Sequence, residues 1–170
     1  STSAFQDSTG RVTGGLEIFK DISENKRLQE EIARRERKYR RIFEGSHDMI
    51  YTSNPDGGLV EMNPAGFEML GYGSMEELRR QISAVGLYRN PDDRKRFMEI
   101  ITREGFVKDY EVDFVKRDGS PLRVLISSRR YENSETGAIE FEGIIKDITH
   151  RKKAEEVIKE RNRELSILNK

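Results

Sequence analysis

The sequence has no cysteine, only two histidines and no long apolar run. The absence of cysteine excludes disulfide bonds, thiolate metal ligands and cysteine nucleophiles. No apolar run approaches the ~18 residues that a membrane-spanning helix needs, and no basic start followed by an apolar core resembles a signal peptide. We therefore expect this stretch of chain to be cytoplasmic, without direct insertion into a membrane.

The chain also has no excess of charge of either sign. Charged residues make up 36% of the 170 residues, yet the net charge is zero, so no general attraction to nucleic acid or membrane is expected. A basic run covers residues 34–41. Glu30, Glu31 and Glu36 each precede an arginine by four positions, which favours ion pairs along a solvated helix over a nucleic-acid or lipid patch.

A partial internal repeat is the most informative feature that is present. Residues 18–23 (IFKDIS) recur as residues 144–149 (IIKDIT), an offset of 126 residues that also separates Asp21 from Asp147. The match continues into the charged segment that follows each copy. Because repeats define architecture and only the end of a unit is repeated here, we predict that residues 1–24 are the last strands of a preceding module.

Turn and helix-start signals divide the next part of the chain into short elements. Residues 49–53 and 59–62 predict strands joined by the turn sequence NPDG at 54–57. Three segments carry an N-cap residue followed by proline or by an acidic third residue, and they predict helix starts: NP at 63–64, SMEE at 74–77 and NPDD at 90–93.

The rest of the module predicts three longer strands. Residues 110–114 alternate apolar with acidic side chains, the period of a half-buried strand. Asp118-Gly119 predicts a turn into a strand over 122–128, and residues 139–147 alternate in a similar way. Two strands, a block of helices and three more strands favour an α+β fold with an antiparallel sheet and helices on one face.

Five short motifs follow one another along residues 38–150: NPDG at 54–57, NPA at 63–65, LGY at 70–72, KRDGS at 116–120 and DIT at 147–149. In this order they resemble the PAS domain that occurs in tandem in bacterial sensor histidine kinases and related signalling proteins. The resemblance implies a five-stranded antiparallel sheet in the order 2-1-5-4-3, with short helices around a small pocket on one face.

This resemblance divides the chain into four segments. Residues 1–24 are interpreted as the C-terminal strand remnant of a preceding PAS domain, and residues 25–45 as a linker or signalling helix. Residues 46–150 are the PAS domain, and residues 151–170 an exit helix towards an output domain. We expect the two flanking helices to be of the coiled-coil type.

The cofactor chemistries known in this family are not expected here. PAS domains that form a flavin photoadduct use a cysteine, which this sequence lacks. Those that bind haem use a histidine on the long helix before the third strand, and that helix, predicted over 92–103, contains none. His47 and His150 match neither position, so we assign them surface or capping roles. No cofactor or metal is predicted, and an unknown small ligand is left open.

No motif predicts catalysis. The sequence after His150 lacks the acidic residue and the Arg-Thr-Pro of kinase phosphoacceptor helices, and GYG at 71–73 departs from the glycine patterns that bind phosphate. Asp92-Asp93 fits the first turn of a helix better than a metal or acid–base site, because carboxylates there complement the helix dipole. We expect a non-catalytic fragment of a larger signalling enzyme.

The charged helices before and after the module share apolar positions at spacings of 4, 3, 4 and 3, with an arginine at the same step in each. A period near 3.5 keeps one stripe facing a partner helix. Packing of each stripe on its own domain is the alternative. We predict a parallel homodimer with this seam: Leu28, Ile32, Arg35, Tyr39, Ile42, Ala154, Ile158, Arg161, Leu165 and Leu168.

Two further groups of residues are candidate functional sites. Asp147 and Thr149, with their counterparts Asp21 and Ser23, are predicted to transmit the signal, and Thr149 is predicted to cap the exit helix with its hydroxyl. The candidate ligand-pocket residues would be equally expected in a plain core. They are Tyr51, Leu70, Leu78, Phe97, Ile101, Tyr110, Val112, Ile126 and Phe141.

We therefore predict a sensory PAS module that detects a small ligand or an upstream conformational signal. It would relay that signal through dimeric coiled-coil helices to a covalently attached output domain, a histidine kinase or a diguanylate cyclase. The alternative function is a ligand-free structural module that only dimerises and relays.

Overall fold

A computed structural model describes residues 2–17 and 23–168, and the chain divides into two compact units, Ser1–Arg41 and Ile42–Lys170. In the first unit, β1 (Thr2–Gln6) and β2 (Val12–Glu17) form an antiparallel two-stranded sheet. The Asp7 carboxylate closes the turn by accepting from the hydroxyl and amide of Thr9 and the amide of Arg11. The turn between the two strands therefore spans residues 7–11.

The β1–β2 pairing has the same register as the end of the second unit's sheet. Thr2 pairs with Glu17 and Phe5 with Gly14. At the sequence offset of 126 residues, these pairs become Ser128 with Gly143 and Tyr131 with Glu140, which are observed partners. The repeat found in the sequence is thus also a repeat of backbone pairing.

The first helix, α1 (Ser23–Gly45), contains the whole of the helix predicted over 25–44. Two of the predicted i,i+4 ion pairs are formed, Glu31–Arg35 at 2.6 Å and Glu36–Arg40 at 2.9 Å. These pairs are exposed to solvent, so each contributes only a few tenths of a kcal/mol, about 0.3–0.5. The charged residues of α1 therefore form a solvated helix surface, as the sequence predicted.

The second unit is built on a five-stranded antiparallel sheet with the order β4-β3-β7-β6-β5. This is the predicted order 2-1-5-4-3. The strands are β3 (Met49–Ser53), β4 (Leu59–Met62), β5 (Phe106–Val115), β6 (Pro121–Glu132) and β7 (Ile139–Asp147). The helices are α2 (Pro64–Leu70), α3 (Met75–Gln81), α4 (Pro91–Glu104) and α5 (Thr149–Leu168).

The helix starts follow the capping signals of the sequence. The side chains of Asn63, Ser74 and Asn90 accept backbone hydrogen bonds at the starts of α2, α3 and α4. At α3 the expected capping box is altered, because the Glu77 carboxylate accepts from the amide of Gly73 at 2.7 Å. Local sequence therefore specifies where these short helices begin.

The core lies between one face of this sheet and the helices α2–α4. Alternate residues of β5, β6 and β7 point into it, as the period-two pattern predicted. The helices cover that face with apolar residues at helical spacing, such as Phe97 and Ile101 of α4. On the opposite face Ile144 remains 43% exposed. The sheet thus has one packed face, which holds the candidate site.

Candidate functional site

The nine residues predicted to line a pocket all belong to the packed core. Eight are buried, and Tyr110 is half-buried and packs against them. Tyr110 also donates a hydrogen bond from its hydroxyl to the backbone oxygen of Asp93, 3.1 Å away, which fixes β5 to the start of α4. Of the nine, Tyr51 lines a small cavity inside the domain.

This cavity lies between β3, β5, β7 and the segment that precedes α4. The space open to the centre of a water-sized molecule is about 20 Å³, which limits an occupant to a few heavy atoms. Its walls are mainly apolar, with a few hydroxyl groups and one guanidinium. The lining residues are Met49, Tyr51, Ser53, Leu59, Ala84, Leu87, Tyr88, Arg94, Phe114 and Ile145.

Of the ten lining residues the sequence interpretation named only Tyr51, and Arg94 is the one charged side chain among those it missed. Its side chain is 7% exposed, and its guanidinium carbon lies 5.7 Å from the ring centre of Tyr88 and 5.5 Å from that of Phe97. Arg94, Phe97 and Ile101 are the buried residues of α4, at spacings of 3 and 4. That spacing on an apolar helix face was the signal that could have identified Arg94.

The tyrosines of the cavity are neutral hydrogen-bonding groups. The Tyr51 hydroxyl donates to Ser128 Oγ at 3.1 Å, and Ser128 in turn donates to the backbone oxygen of Glu142 at 2.9 Å. Burial raises the pKa of Tyr51 and of Tyr88, and the nearby Arg94 charge only partly opposes this. Both phenols therefore stay protonated near neutral pH.

A second candidate site is the junction between the last turn of α1 and the sheet. Asn63 is fully buried, and its Oδ1 accepts from the amides of Ile50 and Gly66 at 2.9 and 3.3 Å. Its Nδ2 donates to the carbonyl oxygens of Phe43 and Asp48, each at 3.0 Å. One side chain thus joins α1, β3 and α2.

The junction between β7 and α5 differs from the prediction. The hydroxyl of Thr149 does not cap α5: it accepts from the amide of Arg123 at 3.0 Å and lies 3.4 Å from the Arg123 carbonyl oxygen. Asp147 instead accepts from the Thr149 amide at 2.8 Å. The prediction for Thr149 was wrong because β6 passes close enough to use the hydroxyl. Both junction residues fix the start of α5 to the sheet.

An ion pair reinforces this junction on the open face of the sheet. Lys152 Nζ in the first turn of α5 lies 2.8 Å from Glu111 Oε2 in β5. The hydrogen bond from Lys152 lowers the pKa of Glu111, and the same bond raises the pKa of Lys152. The two groups are both charged at neutral pH, so the contact between α5 and β5 persists there.

The predicted dimer-seam residues are exposed wherever the structure describes their side chains. The side chain of Leu168 lies outside the described set, and so does Asp21, one of the predicted signal-transmission residues. Ile32 is 64% and Ile158 60% exposed. Ser23, the counterpart of Thr149, is the first residue of α1. Apolar side chains at these positions are thus available on both helices.

His47 and His150 are both exposed. Asp92 and Asp93 lie in the first turn of α4 and pair with Lys95 and Arg96 at 3.0 and 3.3 Å. Within residues 2–17 and 23–168, no group of three or more His, Asp or Glu side chains is arranged to hold a metal ion. No helix in this same part of the chain is long and apolar enough to cross a bilayer.

Comparison with known proteins agrees with this architecture. A family model of the PAS domain matches residues 47–150, which is more than half of the chain. The chain therefore belongs to the PAS domain family, a family of sensory signalling modules that are typically non-catalytic.

One relative of the chain is a kinase. The chain is 26% identical over 150 residues to sporulation kinase E of Bacillus subtilis, an alignment that covers 83% of this chain and 18% of that protein. The chain thus spans about a fifth of the length of that relative.

Solved structures of PAS domains have the same fold. The PAS domain of an HTR-like protein from Haloarcula marismortui superposes with a TM-score of 0.56 at 26% identity, covering 72% of this chain and 99% of that one. A domain of a sensory box sensor histidine kinase/response regulator from Geobacter sulfurreducens gives 0.55 at 23% identity, covering 68% and 96%. The second likeness concerns the fold alone.

Proposed function

We propose that this chain detects a small ligand or an upstream conformational signal and relays it, through dimeric helices, to an output domain attached after α5. The observation that carries the proposal is that both flanking helices are fixed to the PAS sheet by specific polar contacts. Asn63 holds the last turn of α1, while Thr149 and Asp147 hold the first turn of α5. A small shift of the sheet therefore changes the direction of both helices.

The output domain in this proposal is a histidine kinase, with a diguanylate cyclase as the other type. The likeness to sporulation kinase E supports the kinase. The chain itself carries no catalytic activity and no flavin or haem, and it acts in the cytoplasm. The register shared by β1–β2 and β6–β7 supports a second PAS domain before residue 25.

The dimer is proposed to form along the apolar stripes of α1 and α5. Ile158 and Leu165 are 60% and 53% exposed, and their counterparts on α1 are exposed as well. Burying such a stripe against an identical one removes apolar area from water. The arginine in each stripe weakens the seam. A weak seam suits a relay whose two states differ by only a few kcal/mol, about 1.4 for a tenfold change in output.

A ligand-free relay is the second candidate function, and the size of the cavity favours it. The residues first predicted to contact a ligand are packed against one another, and the remaining cavity measures about 20 Å³. Native mass spectrometry of gently purified protein separates the two functions. A reproducible extra mass that disappears on denaturation supports ligand detection, and an apo dimer supports the ligand-free relay.

The relay itself is tested by disulfide cross-linking between single introduced cysteines. The sequence has no cysteine, so there is no background. Ile158→Cys lies in the seam, and Glu160→Cys, two residues on, lies on nearly the opposite face of α5. In a parallel dimer the Ile158→Cys chains come within the 4.4–6.8 Å between Cα atoms that a disulfide requires, and they oxidise to a covalent dimer. Equal cross-linking of both variants would contradict the seam.

A further inference from the structure

Arg94 is a buried charge without a counter-ion. Among the described residues it is the only charged side chain that is buried, and none of the ion pairs found among them includes it. Its Nη2 atom is buried and has no hydrogen-bond partner in the part of the chain that the structure describes. Burying an arginine is costly unless its charge is paired and its N–H groups are bonded. The rings of Tyr88 and Phe97 lie over the guanidinium, and a side-chain contact of Arg94 with Tyr88 partly opposes the rise in the Tyr88 pKa, but Nη2 itself has no hydrogen-bond partner.

The surroundings of Arg94 define the class of ligand. Guanidinium groups bind carboxylates by two parallel hydrogen bonds, and the unpartnered Nη2 of Arg94 is able to supply one of them. Tyr88 and Ser53 also line the cavity, as do the apolar residues Leu59 and Leu87. A carboxylate with a short alkyl group matches both kinds of surface.

We propose that Arg94 is the anchor of a binding site for a short-chain monocarboxylate, of the size of acetate. The space of about 20 Å³ limits the ligand to a few heavy atoms. The inference rests on the ligand-detecting form of the proposed function, for which it names the ligand class. Binding of the carboxylate neutralises the charge of Arg94 on α4. Tyr110 joins this helix to β5 of the five-stranded sheet.

The test uses the whole chain and NMR of its arginine side chains. Sodium acetate is titrated at constant ionic strength, with sodium chloride and acetamide as controls for salt and for the neutral isostere. The expected result is a saturable shift of the Arg94 Nε–Hε signal with acetate and none with either control. Arg94→Met should weaken acetate binding at least about tenfold, a change of ~1.4 kcal/mol in binding free energy.

Two variants make the result specific to Arg94. Arg103→Met removes an exposed arginine from the same helix, and it should bind acetate like the wild type. Arg94→Lys keeps the charge but not the paired donors, so it should bind acetate more weakly than the wild type. The titration of the wild type needs no variant and remains informative if Arg94→Met does not fold.

Several outcomes would overturn the proposal: no saturation by acetate in the wild type, equal binding of acetamide, or unchanged acetate binding by Arg94→Met. Equal binding of nitrate and acetate would overturn the part of the proposal that assigns a role to the alkyl group. The relay has its own test in the cross-linking of Ile158→Cys. Failure of acetate to bind while that cross-link forms would reject the ligand class and leave the relay standing.

Discussion

The side-chain amide of Asn63 donates a hydrogen bond to the carbonyl oxygen of Phe43, 3.0 Å away, and so joins the start of α2 to the last turn of α1. The same side chain accepts from the amide of Ile50 in β3. A capping residue whose first role is local therefore also connects a flanking helix to β3 of the sheet. This makes Asn63 a position where stability and signal relay depend on one side chain.

We expect Asn63→Ala to lower the free energy of unfolding by about 3 kcal/mol. It removes an N-cap, worth ~1 kcal/mol, and leaves buried N–H and carbonyl groups without partners, which costs a further ~1–3 kcal/mol. Asn90→Ala is the matched control, because Asn90 caps α4 at an exposed position with one hydrogen bond of 3.1 Å. It should cost only about 1 kcal/mol. Urea unfolding measures both values, and equal losses would show that the contact with Phe43 contributes little.

Thr149→Val should loosen the attachment of α5 to the sheet. Valine keeps the shape of threonine but cannot accept the hydrogen bond from the amide of Arg123. We expect a loss of about 1–2 kcal/mol, together with faster hydrogen exchange at the amide of Lys152 in the first turn of α5. Thr149→Ser keeps the hydroxyl and should restore slow exchange. Unchanged exchange in Thr149→Val would mean that Asp147 alone holds the helix.

Local signals explain how much of the fold was predictable. The Asn-Pro pair at 63–64 and the turn at Asp118-Gly119 act through their own backbone, so the elements beside them were placed to within a few residues. At the turn, Asp118 accepts from the amide and hydroxyl of Ser120, and Gly119 has the positive φ of 81° that glycine tolerates. The alternation in β5–β7 indicated which face is buried, and the resemblance to PAS domains implied the sheet order.

The candidate site was less predictable because its residues depend on distant neighbours. Thr149 looked like a helix cap, and only the closeness of β6, 26 residues earlier in the chain, gives its hydroxyl to Arg123. Arg94 sits among charged residues in the sequence, and its burial follows from the way α4 packs on the core. The apolar residues predicted to form a pocket were correctly placed inside the domain, but sequence periodicity does not distinguish a packed wall from a cavity wall.

We expect Arg94→Met to raise the stability of the ligand-free protein by about 1–3 kcal/mol, since methionine fills similar space without an unpaired buried charge. The loss of cation–π contacts with Tyr88 and Phe97 offsets part of this gain, by roughly 0.5–2 kcal/mol. Arg103→Met, an exposed change on the same helix, should stay within about 0.5 kcal/mol of the wild type. Urea unfolding in a buffer free of carboxylates gives the comparison. A clear loss of stability in Arg94→Met would mean that the guanidinium is satisfied in the ligand-free protein.

The pair of Glu111 and Lys152 predicts how the junction of α5 responds to pH. The pKa of Glu111 is lowered from its ordinary 4.5, first by the hydrogen bond from Lys152, so the stabilisation is present above pH 4.5 and is lost as the pH falls through the lowered value. The pKa of Lys152 is raised from 10.5, so its contribution is complete below pH 10.5 and is lost only as the pH rises above that. The contact between α5 and β5 should therefore not vary between about pH 6 and 9.

Carboxyl ¹³C NMR tests the effect of Lys152 on the pKa of Glu111. The Glu111 midpoint should lie below 4.5 in the wild type and move up in Lys152→Met. Lys153→Met, which changes the next lysine along α5, should leave the midpoint where it is. If the Glu111 midpoint in Lys152→Met equals that of the wild type, the pair does not hold α5 on the sheet in solution. Thr149 and Asp147 must then do so alone.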